Sequence, residues 1–236
     1  MTSRVSKRLF KDVESVQAAA LKAQGLFYWF DEGNIQKGKA LLLGHDGTPY
    51  EGLLGSFDFT IPADYPFAPP QVVWTTSDGK TRFHPQLYVG GKVCLSILGT
   101  WSGPGWSSMM NLESVLQILQ SLFVENPLAC EPGYEKGTLE DAKFKNYRDN
   151  VEHQVVKYMF QMILSWQKNH KGHPWEPFEE DIEPILPKLF EKLKQKAITH
   201  TTEQAFPMLS FGASGQTNWE ALRALMPKIE AGFLSS

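Results

Sequence analysis

Residues 83–106 are FHPQLYVGGKVCLSILGTWSGPGW. Glycine and proline recur through this stretch without helical or alternating periodicity, which predicts a long structured loop. Loops of this length inside a compact domain are uncommon and are usually functional. The loop contains Cys94, and that thiol is therefore the first candidate for chemistry.

Cys94 has two interpretations on the residues alone. A single cysteine is more often a small buried apolar residue than a nucleophile. Cys94 follows Lys92 in a glycine-rich loop, and this context favours a functional thiol as much as an apolar one. His84 is the only histidine nearby, and no third member of a protease-type triad follows it. Both interpretations therefore stay open at this point.

The chain before the loop predicts one helix and several strands. Apolar residues recur at helical spacing over residues 4–24, which indicates an N-terminal helix. Short apolar segments at 26–30, 40–43, 53–61 and 72–74 are separated by turn signals, which is typical of an antiparallel meander. The other face of the helix has a basic stripe, which is either a solvated surface or a docking surface. The stripe consists of Arg4, Lys7, Arg8 and Lys11.

The chain after the loop predicts helices. Asn111 is a suitable N-cap for a buried central helix, and residues 142–168 form a long amphipathic pattern. The polar segment 168–177 breaks this pattern, so we expect a domain over residues 1–168 and a helical C-terminal extension over 169–236, packed on the domain or adjoining it. A further helix is predicted from Pro184. A last one is predicted from Thr217, capped with Glu220 and kinked or interrupted at Pro227.

Composition excludes several classes of function. The 236 residues include 23 Lys+Arg and 26 Asp+Glu, for a net charge of −3, so binding to nucleic acid through a basic surface is not expected. Two cysteines are too few for a disulfide framework or a cysteine-rich zinc site, and no metal is expected. No apolar run approaches the roughly 20 residues of a membrane span, and the N-terminus is not a secretory signal. These features predict a cytoplasmic or nuclear protein.

Several ordered motifs together resemble the ubiquitin-conjugating enzymes, or E2 family. Residues 65–70 are YPFAPP, residues 84–86 are HPQ, and the Gln is eight residues before the cysteine of GKVCLSIL at 91–98. Trp106 and Ser107 resemble the start of the family's W-S-P motif. The resemblance covers roughly residues 4–168. The segments GTWSGPGW, SVLQILQSL and ENPLACEPGYE are most similar to the large Z-type subgroup, which has an extended C-terminal region.

The resemblance implies a fold and a mechanism. The implied fold is α+β: a UBC-like four-stranded antiparallel meander with an N-terminal helix, a central crossing helix and additional C-terminal helices. Cys94 would take ubiquitin from the E1 enzyme as a thioester, and a substrate lysine would then attack that thioester, usually with an E3 ligase. No cofactor is implied, because ATP is consumed by E1 and the thioester already supplies the driving force. No phosphate-binding loop is found in the sequence.

The resemblance also implies roles for other residues. Gln86 replaces the family's asparagine and would either stabilise the oxyanion or order the loop, and His84 would order the loop. Glu131 is the candidate for the acidic gate residue. The basic stripe would contact E1. The surface that would contact E3 consists of Phe67, Trp106, Ser108 and Met109, with Ser108 in place of the proline of W-S-P.

Two alternatives stay open at the level of sequence. The chain could conjugate another ubiquitin-like modifier, as the resemblance to the Z-type subgroup allows. It could also be a non-catalytic scaffold with an E2-like fold that binds ubiquitin or an E3. Cys94 argues against the scaffold, whereas Gln86 argues weakly for it.

Overall fold

Four antiparallel strands follow one another in chain order in the computed structural model of the protein, which describes residues 4–206, 210–212 and 215–235. Neighbouring strands pair along the sheet, and Phe57 of the third strand lies opposite Trp74 of the fourth, with ring centroids 4.9 Å apart. Such aromatic pairs across strands stabilise a sheet. The predicted meander is confirmed. The strands are β1 (Leu26–Asp31), β2 (Asn34–Leu43), β3 (Leu54–Thr60) and β4 (Gln71–Trp74).

The chain divides into two compact units that do not follow the order of the sequence. The first consists of Met1–Leu43, Leu54–Gly79 and His84–Leu122. The second consists of Gly44–Leu53, Lys80–Phe83 and Phe123–Ser236. The connection from β2 to β3 therefore belongs to the second unit, although both strands belong to the first. The helices that follow residue 168 share a unit with residues 142–168.

Three helices complete the first unit: α1 (Arg4–Val16), α2 (Ala19–Ala23) and α3 (Leu112–Gln120). The α1 helix packs against β1 and α3, and α3 packs against β1 and β2. The single helix predicted over 4–24 is wrong in one respect, because the extended backbone at Ala18 divides it in two. The predicted cap of the central helix is confirmed, since the Asn111 side chain accepts a 2.8 Å hydrogen bond from the Ser114 N–H.

A buried glutamine amide joins two chain segments of the first unit. The Nε2 group of Gln120 donates to the carbonyl oxygens of Gln24 and Leu43, at 2.9 and 3.0 Å. These carbonyls lie where α2 and β2 end, and the buried amide of Gln120 needs such partners. The amide thus fixes α3 against the ends of two neighbouring elements.

Four helices form most of the second unit: α4 (Ala142–Lys168), α5 (Glu179–Ile182), α6 (Leu186–Thr199) and α7 (Trp219–Ser235). The predicted C-terminal helices are confirmed, and the bounds of α4 are those that the sequence predicted. A short two-stranded sheet, β5 (Ala205–Phe206) and β6 (Gly215–Gln216), precedes α7 and carries no pattern long enough to predict. Within the unit, α4 packs against α6 and α7.

The predicted start of the last helix is wrong. Thr217 does not cap it, because its hydroxyl donates to Glu203 and accepts from the N–H of Gln204. The cap is Asn218, whose side chain accepts a 2.9 Å bond from the Ala221 N–H. The helix then runs through Pro227 without interruption. The preceding helix begins at Leu186, two residues later than predicted.

Buried charges stabilise the second unit. Lys196 of α6 donates to Glu152 of α4 at 2.7 Å and to the Thr48 carbonyl at 2.9 Å. Burial alone would raise the pKa of Glu152, but hydrogen bonds from His200 and Lys196 outweigh it and lower that pKa to about 2. Glu152 is therefore ionised at neutral pH, and the connection from β2 to β3 is tied to α6 through the same lysine.

Candidate active site

Cys94 lies in the first unit, in irregular chain between β4 and α3. The backbone reaches it through isolated bridges that pair Val73 with Lys92 and Leu87 with Val93. The N–H of Cys94 donates to the carbonyl of Gln86 at 2.9 Å. A turn of 3₁₀-helix, Ser96–Leu98, follows and ends at Gly99 with φ of 68°, a conformation that favours glycine. The thiol is held between two chain segments, and Cys94 is 3% exposed.

Thr100 contacts the residues on both sides of Cys94. Its hydroxyl donates to the Val93 carbonyl at 2.6 Å and accepts from the Leu95 N–H at 2.9 Å. The Sγ atom of Cys94 lies 3.8 Å from the Thr100 carbonyl oxygen, within hydrogen-bond reach for sulfur. Sequence reasoning missed Thr100, because its partners are backbone atoms and no side-chain motif marks them.

His84 and Gln86 make different contacts in the segment that bonds to Cys94. His84 is fully buried, and its Nδ1 atom accepts a 3.1 Å bond from the N–H of Gln86. The side-chain amide of Gln86 is half-buried and makes no hydrogen bond to any residue that the structure describes. The imidazole therefore orders the backbone of the loop, while the Gln86 amide donors have no hydrogen-bond acceptor among the described residues.

The proposed E3 surface combines two loops of the first unit. Phe67 is 77% exposed and Met109 is 88% exposed, which is unusual for large apolar side chains. The indole N–H of Trp106 donates to the Pro66 carbonyl at 2.7 Å, so the second loop is tied to the first. Ser108 is also exposed. The structure thus brings these four predicted residues onto adjacent loops.

The members of the basic stripe on α1 make different contacts. Lys7 and Lys11 are exposed, and the Arg4 side chain lies outside the described residues. Arg8 instead donates to the carbonyls of Ser108 and Met110, at 3.2 and 2.7 Å, and pairs with Asp12 at 2.9 Å. Arg8 therefore supports the loop that carries Met109. Sequence spacing alone cannot distinguish this role from that of a solvated surface residue.

A buried tyrosine extends the Arg8 contact to the YPFAPP turn. The Tyr65 hydroxyl donates to the Asp12 carboxylate. Burial, followed by this hydrogen bond, raises the pKa of Tyr65, so the phenol stays protonated. Arg8, Asp12 and Tyr65 connect α1 to both loops of the proposed E3 surface.

Glu131 belongs to the second unit. It follows the 3₁₀-helix Pro127–Cys130, and its N–H donates to the Leu128 carbonyl at 3.1 Å. The neighbouring thiol, Cys130, is half-buried, and that burial raises its pKa. The raised pKa disfavours the reactive thiolate at Cys130. The role of Glu131 stays a prediction.

No helix in the described part of the chain combines the length and the apolar character of a membrane span.

Comparison with known proteins adds the family. A family model described as "Ubiquitin-conjugating enzyme" matches residues 8–159. "Ubiquitin-conjugating enzyme E2 Z" of Xenopus tropicalis is 42% identical over 151 residues, which are 64% of this chain and 47% of that protein. The Danio rerio protein of the same name is 41% identical over 176 residues, 74% of this chain and 53% of that protein. The chain thus spans about half the length of these relatives.

A solved structure agrees on the fold. The crystal structure of a putative ubiquitin-conjugating enzyme from Plasmodium yoelii matches with a TM-score of 0.52 and 20% identity, over 66% of this chain and 96% of that one. At this identity the match supports the fold alone. Since the family model covers well over half of the sequence, the chain belongs to the ubiquitin-conjugating enzyme family and resembles its Z-type subgroup.

Proposed function

We propose that the protein accepts ubiquitin from an E1 enzyme as a thioester on Cys94 and transfers it to a lysine amine, usually with an E3 ligase. The main support is the position of Cys94 in its loop, where its N–H is fixed by the Gln86 carbonyl at 2.9 Å. No cofactor is needed for either step. Two free thiols suit the reducing cytoplasm or nucleus, where we expect the protein to act.

The two steps balance without an oxidant or a metal. Cys94 Sγ attacks the carbonyl carbon of the E1 thioester, the E1 sulfur leaves, and the proton of the attacking thiol passes to it. In the second step the lysine nitrogen attacks the new thioester, and Cys94 leaves as the thiolate. The amine loses its proton to solvent.

Attack by the lysine passes through a tetrahedral intermediate with a negative oxygen. Preorganised N–H donors stabilise such an oxyanion. The amide of Gln86 has the required donors, and it has no other partner within the described residues. Because Gln is one methylene longer than the family's asparagine, we expect its amide to reach the oxyanion from a displaced position.

A charging assay tests the proposal. The protein is incubated with E1, ATP and ubiquitin, and the products are separated on a non-reducing gel. We expect an adduct that thiols cleave, a stable oxyester with Cys94→Ser and no adduct with Cys94→Ala. Cys130→Ala is the matched control and should charge normally. A thiol-sensitive adduct that persists in Cys94→Ala would refute the assignment.

The same assay addresses the two alternatives. An adduct with another ubiquitin-like modifier and its E1, but not with ubiquitin, would reassign the modifier and keep Cys94 as the nucleophile. The absence of any adduct, together with measurable binding of free ubiquitin, would indicate a scaffold.

A further inference from the structure

Thr100 makes a dense set of hydrogen bonds for an exposed loop residue. Its hydroxyl bonds to the carbonyl of Val93 and to the N–H of Leu95, at 2.6 and 2.9 Å, and its own N–H donates to the Leu95 carbonyl at 3.2 Å. A residue six positions after Cys94 is thus fastened to the backbone on both sides of it. We call these three contacts the Thr100 latch.

The Thr100 latch determines where the Thr100 carbonyl lies. Its oxygen is 3.8 Å from Cys94 Sγ, so the thiol donates its proton towards it. Cys94 is 3% exposed, whereas residues 99–105 are exposed. A sulfur that attacks a thioester must meet a carbonyl carbon, and in the latched state an oxygen of its own chain lies against it.

Glycines with positive φ lie on both sides of Thr100. Gly99, directly before Thr100, has φ of 68°, and Gly103 has φ of 135°. Glycine adopts both conformations without the cost that other residues incur. The next side-chain anchor after Thr100 is Trp106, through its bond to Pro66. The exposed segment between these anchors therefore depends on Thr100 for its position.

We propose that Thr100 is a positioning residue that restricts access to Cys94, and that its hydroxyl must release Val93 and Leu95 before the thioester can reach the sulfur. The consequence for ubiquitin transfer rests on the proposed function. The restriction on the thiol does not, since it concerns any electrophile that approaches Cys94.

Alkylation with iodoacetamide tests the restriction without E1. Cys94 sulfur displaces iodide, and the thiol proton passes to solvent. In a Cys130→Ala background, where Cys94 is the one remaining cysteine of the sequence, Thr100→Val removes the hydroxyl and keeps the shape. We expect its alkylation to be about tenfold faster, because two hydrogen bonds are lost. Thr100→Ser keeps the hydroxyl and should react within about twofold of the parent.

Two further measurements separate access from misfolding. Thr138→Val is the control for an exposed threonine and should alkylate at the parental rate. Amide hydrogen exchange at Leu95 should accelerate in Thr100→Val, while exchange in α3 should not. If Thr100→Val loses its folded state, Thr100→Ala replaces it under the same criteria. Alkylation and Leu95 exchange at parental rates in a folded variant would overturn the proposal.

A charging assay separates this proposal from the proposed function. If restricted access limits transthiolation, Thr100→Val should charge faster than the parent and Thr100→Ser should not. A variant that alkylates faster but charges no faster would overturn the role in transfer. If the parent itself fails to charge while Thr100→Val still alkylates faster, the proposed function fails and the restriction on Cys94 holds.

Discussion

The carbonyl oxygen of Gln86 lies 2.9 Å from the backbone nitrogen of Cys94 and accepts its hydrogen bond. Gln86 thus holds Cys94 through its main chain, which any residue at this position could do. Its side-chain amide takes no part in that bond and is the proposed oxyanion donor. Substitution of the side chain can therefore separate the two roles of Gln86.

Gln86→Ala should slow the discharge of a preloaded thioester to free lysine by about tenfold or more, because an oxyanion donor is lost. The backbone bond to Cys94 remains, so the charging rate and the melting temperature should change little. Single-turnover discharge measures the first effect. Gln86→Asn is the matched variant and should equal or exceed the parent. Normal discharge by Gln86→Ala would remove the donor role, and a joint fall in charging and melting temperature would indicate a loop support.

Reversal of the two exposed lysines of α1 should slow charging. Lys7→Glu with Lys11→Glu replaces a local positive charge that could steer E1, and such steering weakens as salt screens it. We expect a several-fold lower initial charging rate at low ionic strength and a smaller difference at high salt. Discharge of the preloaded enzyme should not change. Lys171→Glu with Lys188→Glu, exposed lysines of the second unit, controls for net charge. Equal rates across the salt series would exclude steering by α1.

Arg8 should behave as a structural residue. Arg8→Ala removes the donors to the carbonyls of Ser108 and Met110 and leaves Asp12 without its ion pair. Unfolding in urea should show a loss of about 1.5–3 kcal/mol, the usual range for hydrogen bonds that involve a charged group. Arg8→Lys should lose nearly as much, because an ammonium cannot reproduce the planar fork. If Arg8→Lys matches the parent, charge alone is what matters at this position.

Glu152 should make stability depend on pH in the acid range. Its pKa falls from 4.5 to about 2 in the folded protein, so the folded state is favoured above 4.5 and loses this contribution as the pH falls towards 2. The melting temperature of Glu152→Gln should lie below that of the parent at pH 6, and the gap should narrow between pH 4.5 and pH 2. Glu180→Gln, an exposed carboxylate, is the control. A gap that stays constant over this range would contradict the assignment.

His200 contributes in the opposite sense. Its hydrogen bond with Glu152 raises the pKa of the imidazole above 6.5. That contribution is therefore present at and below pH 6.5 and is lost as the pH rises through the higher folded value. The joint contribution of the two groups is therefore largest at mildly acidic pH. His200→Gln should flatten the upper side of the melting profile and also weaken the acid side, because His200 helps to lower the pKa of Glu152.

The sequence predicted helices and strands with periodic apolar residues. It did not predict side-chain contacts to backbone atoms. The period of α4 and the cap at Asn111 are local signals, and both are confirmed. Thr217 satisfied the capping-box spacing, but Glu203, fourteen residues away, takes its hydroxyl instead. Helical spacing assigned Arg8 to a surface stripe, because spacing carries no information about carbonyl partners a hundred residues later in the chain. The position of Cys94 in its loop followed from glycine and proline content, whereas Thr100 needed coordinates.

In the second unit, an early segment of the chain packs against a helix that is synthesised much later. Gly52 lies so close to Leu193 of α6 that a Cβ atom there would come within 2.8 Å of the leucine side chain. The ribosome makes Gly52 long before Leu193, by on the order of ten seconds at ordinary translation rates. Tyr50 is fully buried in the finished protein. During that interval its segment lacks α6, the helix that packs against Gly52. The nascent chain therefore exposes this aromatic segment until its C-terminal helices have been made. A chaperone that recognises exposed aromatic residues would bind the segment during that interval.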